Sequence, residues 1–163
     1  MIMRETFLTA FARLSLSAFA LTTLAAPARA EDDRVAPVSD ALVLKECGSC
    51  HMAFQPAFLP AAAWDKMMNT LADHFGEDVR LPADKTEAIR TYLVRNATGS
   101  GHGHDGKRQA TGIDTVPLRI TETGYFLRKH RFPDRVWQAP KVVTKSNCVA
   151  CHVDAERGIY EDD

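Results

Sequence analysis

The sequence predicts a mostly α-helical chain in two unequal halves, a helical N-terminal half and a short, loop-rich C-terminal one. Three observations carry this reading. Apolar residues recur at three- and four-residue spacing in three segments before residue 97. No run alternates β-branched residues for long enough to build a sheet. Four glycines fall in the nine residues from Gly99 to Lys107, the composition of a flexible boundary between folded parts.

Residues 1–30 read as a cleaved signal peptide. Arg4 and Arg13 make a positive start, Leu14 to Ala26 an apolar stretch, and Ala28-Arg29-Ala30 an A-x-A cleavage site before Glu31. The apolar stretch is 13 residues long. A membrane span needs roughly 20. Cleavage is therefore expected rather than a retained anchor, leaving a mature chain of 31–163 in an exported, periplasmic setting.

The N-terminal half is expected over 31–97. Ser39 is the N-cap of a first helix, and Leu44, Cys47, Cys50 and His51 follow at i+3 and i+4 spacing, so the helix is expected to run through His51. Gln55-Pro56 and Leu59-Pro60 break the chain. A second helix is expected from Ala61 to Phe75, with Trp64, Met67, Met68, Leu71, His74 and Phe75 on one stripe and Gly76 as its stop. A third starts at Asp84, with Asp84 to Glu87 as a capping box, and runs through Ile89, Tyr92 and Leu93 to about Asn96.

The linker covers 98–112 and the C-terminal half 113–163. In that half Pro117 to Ile120 is extended, and Thr121 or Thr123 caps a helix reaching about Arg131, with Phe126 and His130 at i and i+4. Pro133 and Pro140 bound a loop containing Trp137. Ser146 is expected to cap a last helix that carries Cys148, Cys151 and His152 and ends near Gly158.

Both halves hold the same five-residue pattern. Cys47-Gly48-Ser49-Cys50-His51 and Cys148-Val149-Ala150-Cys151-His152 are both C-x-x-C-H, and together they use every cysteine in the chain. This is the attachment signature of c-type haem. The two thiols lie about one helical turn apart, so both reach the vinyl groups of one porphyrin edge, and the following histidine swings beneath the ring to the iron. Two copies imply two covalent haems, attached through Cys47 and Cys50 and through Cys148 and Cys151, with His51 and His152 as proximal ligands.

A four-thiolate zinc site, a redox dithiol and structural disulfides are the rival uses of these cysteines. Zinc does not call for a histidine after each pair, the pairs lie about a hundred residues apart, and a thioredoxin-like dithiol needs a βαβ setting. Size agrees with haem. Neither 34–97 nor 113–163 is long enough to build a secure core unaided, and a haem is a large apolar disc that replaces missing core. The mature chain holds 17 Lys and Arg against 20 Asp and Glu. Nothing in that balance suggests nucleic acid, which would call for a basic patch. The acidic ends Glu31-Asp32-Asp33 and Glu161-Asp162-Asp163 read as solvated tails.

Each iron then needs a sixth ligand. The remaining histidines are His74, His102, His104 and His130, and Met52, Met67 and Met68 stay in the mature chain. His74 lies on the stripe expected to face the first haem, and His130 on the helix upstream of the second motif. We assign His74 to the first haem and His130 to the second. Met67 or Met68 is the rival at the first haem and would raise its potential. His102 and His104 sit among glycines and suit an exposed role. Two histidines saturate an iron and leave no vacant position for O2 or peroxide, which describes a carrier rather than an oxygen-activating enzyme.

Cys47-Gly-Ser-Cys-His-Met-Ala-Phe, Leu59-Pro-Ala, Asp73-His-Phe-Gly-Glu-Asp, Pro117-Leu-Arg-Ile-Thr and the closing Asn147-Cys-x-x-Cys-His occur in an order that resembles the small bacterial dihaem cytochrome c family. The resemblance covers nearly all of the mature chain. It implies a class I cytochrome c-like N-terminal half, an irregular C-terminal haem-binding half, and two low-spin irons with His51 and His74 on one and His152 and His130 on the other. It further implies a low-potential periplasmic electron carrier, with a membrane b-type cytochrome as donor and an oxygen-binding monohaem cytochrome c as acceptor. The first half is short for a full class I domain and lacks a downstream Met ligand, which favours bis-His ligation. The alternatives are a peroxidase-like dihaem enzyme with one open iron, and a cysteine-based metal or disulfide module.

Overall fold

The computed structural model describes residues 34–99 and 117–161, and every regular element among them is a helix or a single 3-10 turn. The expected signal peptide lies outside the described residues, as do 100–112 of the expected linker with His102 and His104.

Helix α1 is Ala41–Cys47. Its N-cap is Asp40 rather than Ser39, because the Asp40 carboxylate accepts from the backbone N–H groups of both Leu42 and Val43, at 2.9 and 3.0 Å. The helix ends at Cys47, so Cys50 and His51 stand on the turn after it, not on the helix that their spacing predicts.

Helix α2 is Ala61–Asn69, and it stops a turn and a half earlier than its stripe suggests. Thr70 turns its hydroxyl back onto the Lys66 and Met67 carbonyls, its φ leaves the helical region at −121°, and a 3-10 turn Leu71–Asp73 follows. That break delivers His74 at the end of a turn instead of along a helix face. Helix α3 is Ala83–Arg95 with Pro82 before it. No capping box forms. Asp84 lies in the first turn, where an acid suits the helix dipole, and Glu87 pairs with Arg90 instead, at 2.8 Å.

The core sits between these helices. Val43, Leu59, Ala63, Trp64, Met68, Ile89, Leu93 and Ala97 are all buried in one cluster. The Trp64 indole N–H donates to the Pro56 carbonyl at 2.7 Å, so the largest core side chain leaves no polar atom unmatched. Arg90 ties α3 to α2 through Asp65 at 2.8 Å, and Lys85 ties it to α1 through Glu46 at 2.8 Å.

From residue 117 onward the chain has less of its own to bury. Helix α4 is Gly124–Lys129, capped by Thr123, whose hydroxyl accepts from Phe126 N–H at 3.2 Å. Between the two prolines lies one turn of helix, α5, Asp134–Trp137, rather than a plain loop. Ser146 caps nothing, and the second motif forms 3-10 turns, Cys148–Ala150 and Ala155–Arg157, in place of the expected helix. Asn147 explains the difference. Its amide donates to the Lys141 and Val142 carbonyls at 3.2 and 3.1 Å, which binds the segment to the preceding loop.

The C-terminal end packs onto the N-terminal half at Gly158. That residue has a φ of +77°, its carbonyl accepts from Val35 N–H at 2.8 Å, and a Cβ added there would lie 2.0 Å from the Val35 carbonyl oxygen. Gly158→Ala therefore combines a left-handed backbone with a backbone clash. It should lower stability by more than the about 1–2 kcal/mol that the left-handed conformation alone costs. Thermal unfolding of the purified variant checks this, and an unchanged midpoint would contradict it.

Candidate functional site

The first motif is laid out by the end of α1. Cys47 is half-buried on the last helical residue, while Cys50 and His51 are exposed on the turn that follows. The His51 Nδ1–H donates to the Met52 carbonyl at 2.7 Å, which fixes the ring and leaves Nε2 free. His74 arrives from the turn after α2, and its ring centre lies 6.2 Å from that of His51 with the planes 19° apart. Phe54 stacks on His51 at 5.0 Å, and Phe75 packs on His74 at 4.8 Å with the Arg119 guanidinium over the Phe75 ring, 4.0 Å from its centre. Arg119 lies about 45 residues further along the chain than His74, so residues on both sides of 100–116 contribute to this site. His74 is held below the usual histidine range, first by burial and then by the neighbouring His51 and Arg119, which favours the neutral ring that can donate a lone pair. It faces a cleft of about 230 Å³ that Met67 and Leu118 also line, whereas Met68 points into the core.

The second motif is set in an aromatic cluster. His130 caps the end of α4, and its Nδ1–H donates to the Phe126 carbonyl at 3.0 Å. Phe126 lies flat on its ring, with centres 4.0 Å apart and planes 9° apart, and Phe132 and Trp137 close around it. His152 meets His130 with ring centres 6.1 Å apart and planes crossed at 80°. Its own Nδ1 is buried and has no hydrogen-bond partner among the described residues.

The chain therefore brings together the four histidines that the sequence paired, in two pairs. A bond of about 2 Å from metal to imidazole nitrogen on each side puts ring centres about 6 Å apart, so both spacings suit a shared iron. Cys50 and Cys151 are exposed beside the pairs, as attachment to an external macrocycle requires. The partly buried thiols are not activated. Burial pushes Cys148 up to about 11 and raises Cys47, with the Glu46 charge adding to the latter. A reactive dithiol shows the opposite shift. Among the described residues, no cluster of three or more His, Cys, Asp or Glu converges on one metal position. The residues present thus fit two haems.

The dihaem cytochrome c family model matches residues 43–160 of the chain. The protein is a member of the dihaem cytochrome c family. Two solved structures of the diheme cytochrome c of Rhodobacter sphaeroides are similar to it. One is 40% identical with a TM-score of 0.69 and the other 41% identical with a TM-score of 0.63, and in each case 76% of this chain and 98% of that chain are covered. A diheme cytochrome type c of Shewanella baltica is 36% identical, with a TM-score of 0.62 over 74% of this chain and 86% of that one. No curated protein matches. Membership of this dihaem cytochrome family carries two covalently bound haem c groups and a role in electron transfer.

Two residues at the join of the halves escaped the sequence reading. Gln55 is fully buried, with its amide donating to the Ala155 carbonyl at 2.8 Å and its carbonyl accepting from the Tyr160 hydroxyl at 2.6 Å. In the sequence Gln55 reads only as the residue before a helix-breaking proline, and Tyr160 only as the residue before the acidic end Glu161-Asp162-Asp163. Each bond spans a hundred residues or more, and no local pattern reports such a pair.

Proposed function

We propose that this dihaem cytochrome is a periplasmic, low-potential one-electron carrier in which both irons are closed by two histidines. When bound, each haem supplies an iron that takes up and returns a single electron. Cys47 and Cys50 hold one macrocycle and Cys148 and Cys151 the other. His51 and His74 would hold the iron of the first, and His152 and His130 that of the second. The single observation that supports this reading most is the pairing of rings at 6.2 and 6.1 Å.

The protein's work is positioning. The Met52 and Phe126 carbonyls hold the His51 and His130 Nδ1–H groups, which leaves Nε2 as the nitrogen that can bind a metal and strengthens both rings as electron donors. A strongly donating second imidazole in place of methionine favours the oxidised iron and lowers the potential. Two tethered imidazoles on each iron would also exclude O2 and peroxide, which suits a carrier. The membrane b-type cytochrome donor and the oxygen-binding monohaem cytochrome c acceptor belong to this proposal through the family resemblance. The periplasmic placement follows from the sequence of residues 1–30 and from the need to attach haem outside the cytoplasm.

The holoprotein expressed with a haem-attachment system tests the reading. A pyridine haemochrome assay should give two haems per chain, and visible spectra should be low-spin in both redox states with no rapid CO adduct. The ring planes lie 19° apart at one pair and 80° at the other, so the oxidised protein should show two distinct low-spin EPR signals. A high-spin band with fast CO binding would instead favour a peroxidase-like enzyme with one open iron.

A further inference from the structure

We propose that Gln55 and Tyr160 form a strut that sets the orientation of His152 from the loop that carries His51. The inference rests on the two-centre reading above and adds two positioning residues to it.

Gln55 stands four residues beyond His51, on the segment that Phe54 and Phe58 flank. Its side chain is fully buried and both ends of its amide are used, one on Ala155 and one on Tyr160. Ala155 is itself fully buried, and its N–H donates to the His152 carbonyl at 3.0 Å. Tyr160 completes the loop. Its ring packs edge-on against His152, with centres 5.4 Å apart and planes at 63°, and edge-on against Phe58 at 5.2 Å.

His152 thus has two neighbours fixed by one side chain of the opposite half. One is the backbone of Ala155, and the other is the Tyr160 ring. His51 and His130 take their orientation from Nδ1 bonds to nearby carbonyls, but the His152 Nδ1 has no such bond among the described residues. Its ring packs instead between Tyr160 and His130, so the crossed 80° setting against His130 depends on where Tyr160 holds it. A buried polar residue that spans two segments fixes one arrangement because any other leaves its amide unsatisfied.

Tyr160→Phe keeps the ring and removes the bond to Gln55. The test uses the holoprotein, and the wild type is first shown to carry two low-spin haems. Failure at that step overturns the carrier reading before the strut is tested. In the variant with two haems retained, the potential of the second centre should rise as His152 becomes a less well-aligned donor. The paramagnetically shifted NMR resonances of the His152 ring should move with it, and the first centre should keep its potential. Gln55→Met, which removes both amide bonds at similar length, should give the same one-sided change. Potentials and His152 resonances that match the wild type, with only the melting temperature lowered, would overturn the proposal, as would equal shifts at both centres. Should neither variant assemble, the unmodified holoprotein decides. The Tyr160 hydroxyl proton should exchange slowly and show a cross-relaxation peak to the Gln55 side chain, and rapid exchange without that peak would refute the strut.

Discussion

His130→Ala should open the second haem and leave the first closed. The variant loses the imidazole whose Nδ1 is held by Phe126 and whose ring faces His152 at 6.1 Å. The expected spectrum is half low-spin and half high-spin, with rapid CO binding at one haem per chain. His74→Ala should give the mirror result at the first haem. The effect is all-or-none at each site, because an iron with one axial ligand changes spin state and gains a vacant position. EPR of the oxidised protein and CO titration of the reduced protein measure it. Loss of the low-spin signal at both haems from one substitution would show that the pairing is wrong. No change from His74→Ala would point to Met67, which lines the same cleft.

The second large effect is an asymmetry in how the halves depend on their haems. The first half owns a contiguous core of ten buried residues, from Val38 to Ala97. In the described part of the second half, the buried apolar residues are Val142 and Ala155. Such a segment cannot offset the conformational entropy of ordering some forty residues, at about 1–2 kcal/mol each. Replacing Cys148 and Cys151 with serine should therefore leave one haem per chain and release 117–161 to near-unfolded rates of amide hydrogen exchange, while α2 and α3 stay protected. The same change at Cys47 and Cys50 should weaken the first half without abolishing protection around Trp64 and Ile89. Retained protection over 117–161 in the first variant would mean that the segment carries a core of its own.

Much of this organisation was legible in the chain. The stripe from Ala61 onwards, the long third helix ending at Asn96 and the Thr123 cap are local features, and local periodicity and capping chemistry report them directly. The errors are local too. Asp40 outcompeted Ser39 because a carboxylate can accept from two N–H groups at once. Thr70 ended α2 early because its hydroxyl turned back on the helix. The second motif stayed out of a helix because Asn147 was committed to the loop before it. In each case a side-chain bond to backbone decided between conformations that apolar spacing rates alike.

By itself the sequence determined the chemistry. Two C-x-x-C-H motifs count the haems, because covalent attachment needs two thiols and a histidine at fixed local spacing, and fixed local spacing is what a sequence records. It also supplied four histidines in an order that allows two pairs. Only the tertiary structure decided how those pairs meet, nearly parallel at His51 and His74 and crossed at His130 and His152. It alone placed Gln55 and Tyr160 between the halves. Ring angle and burial depend on contacts between residues far apart in the chain, and these exist only once the core between α2 and α3 has formed and the C-terminal end has packed against it.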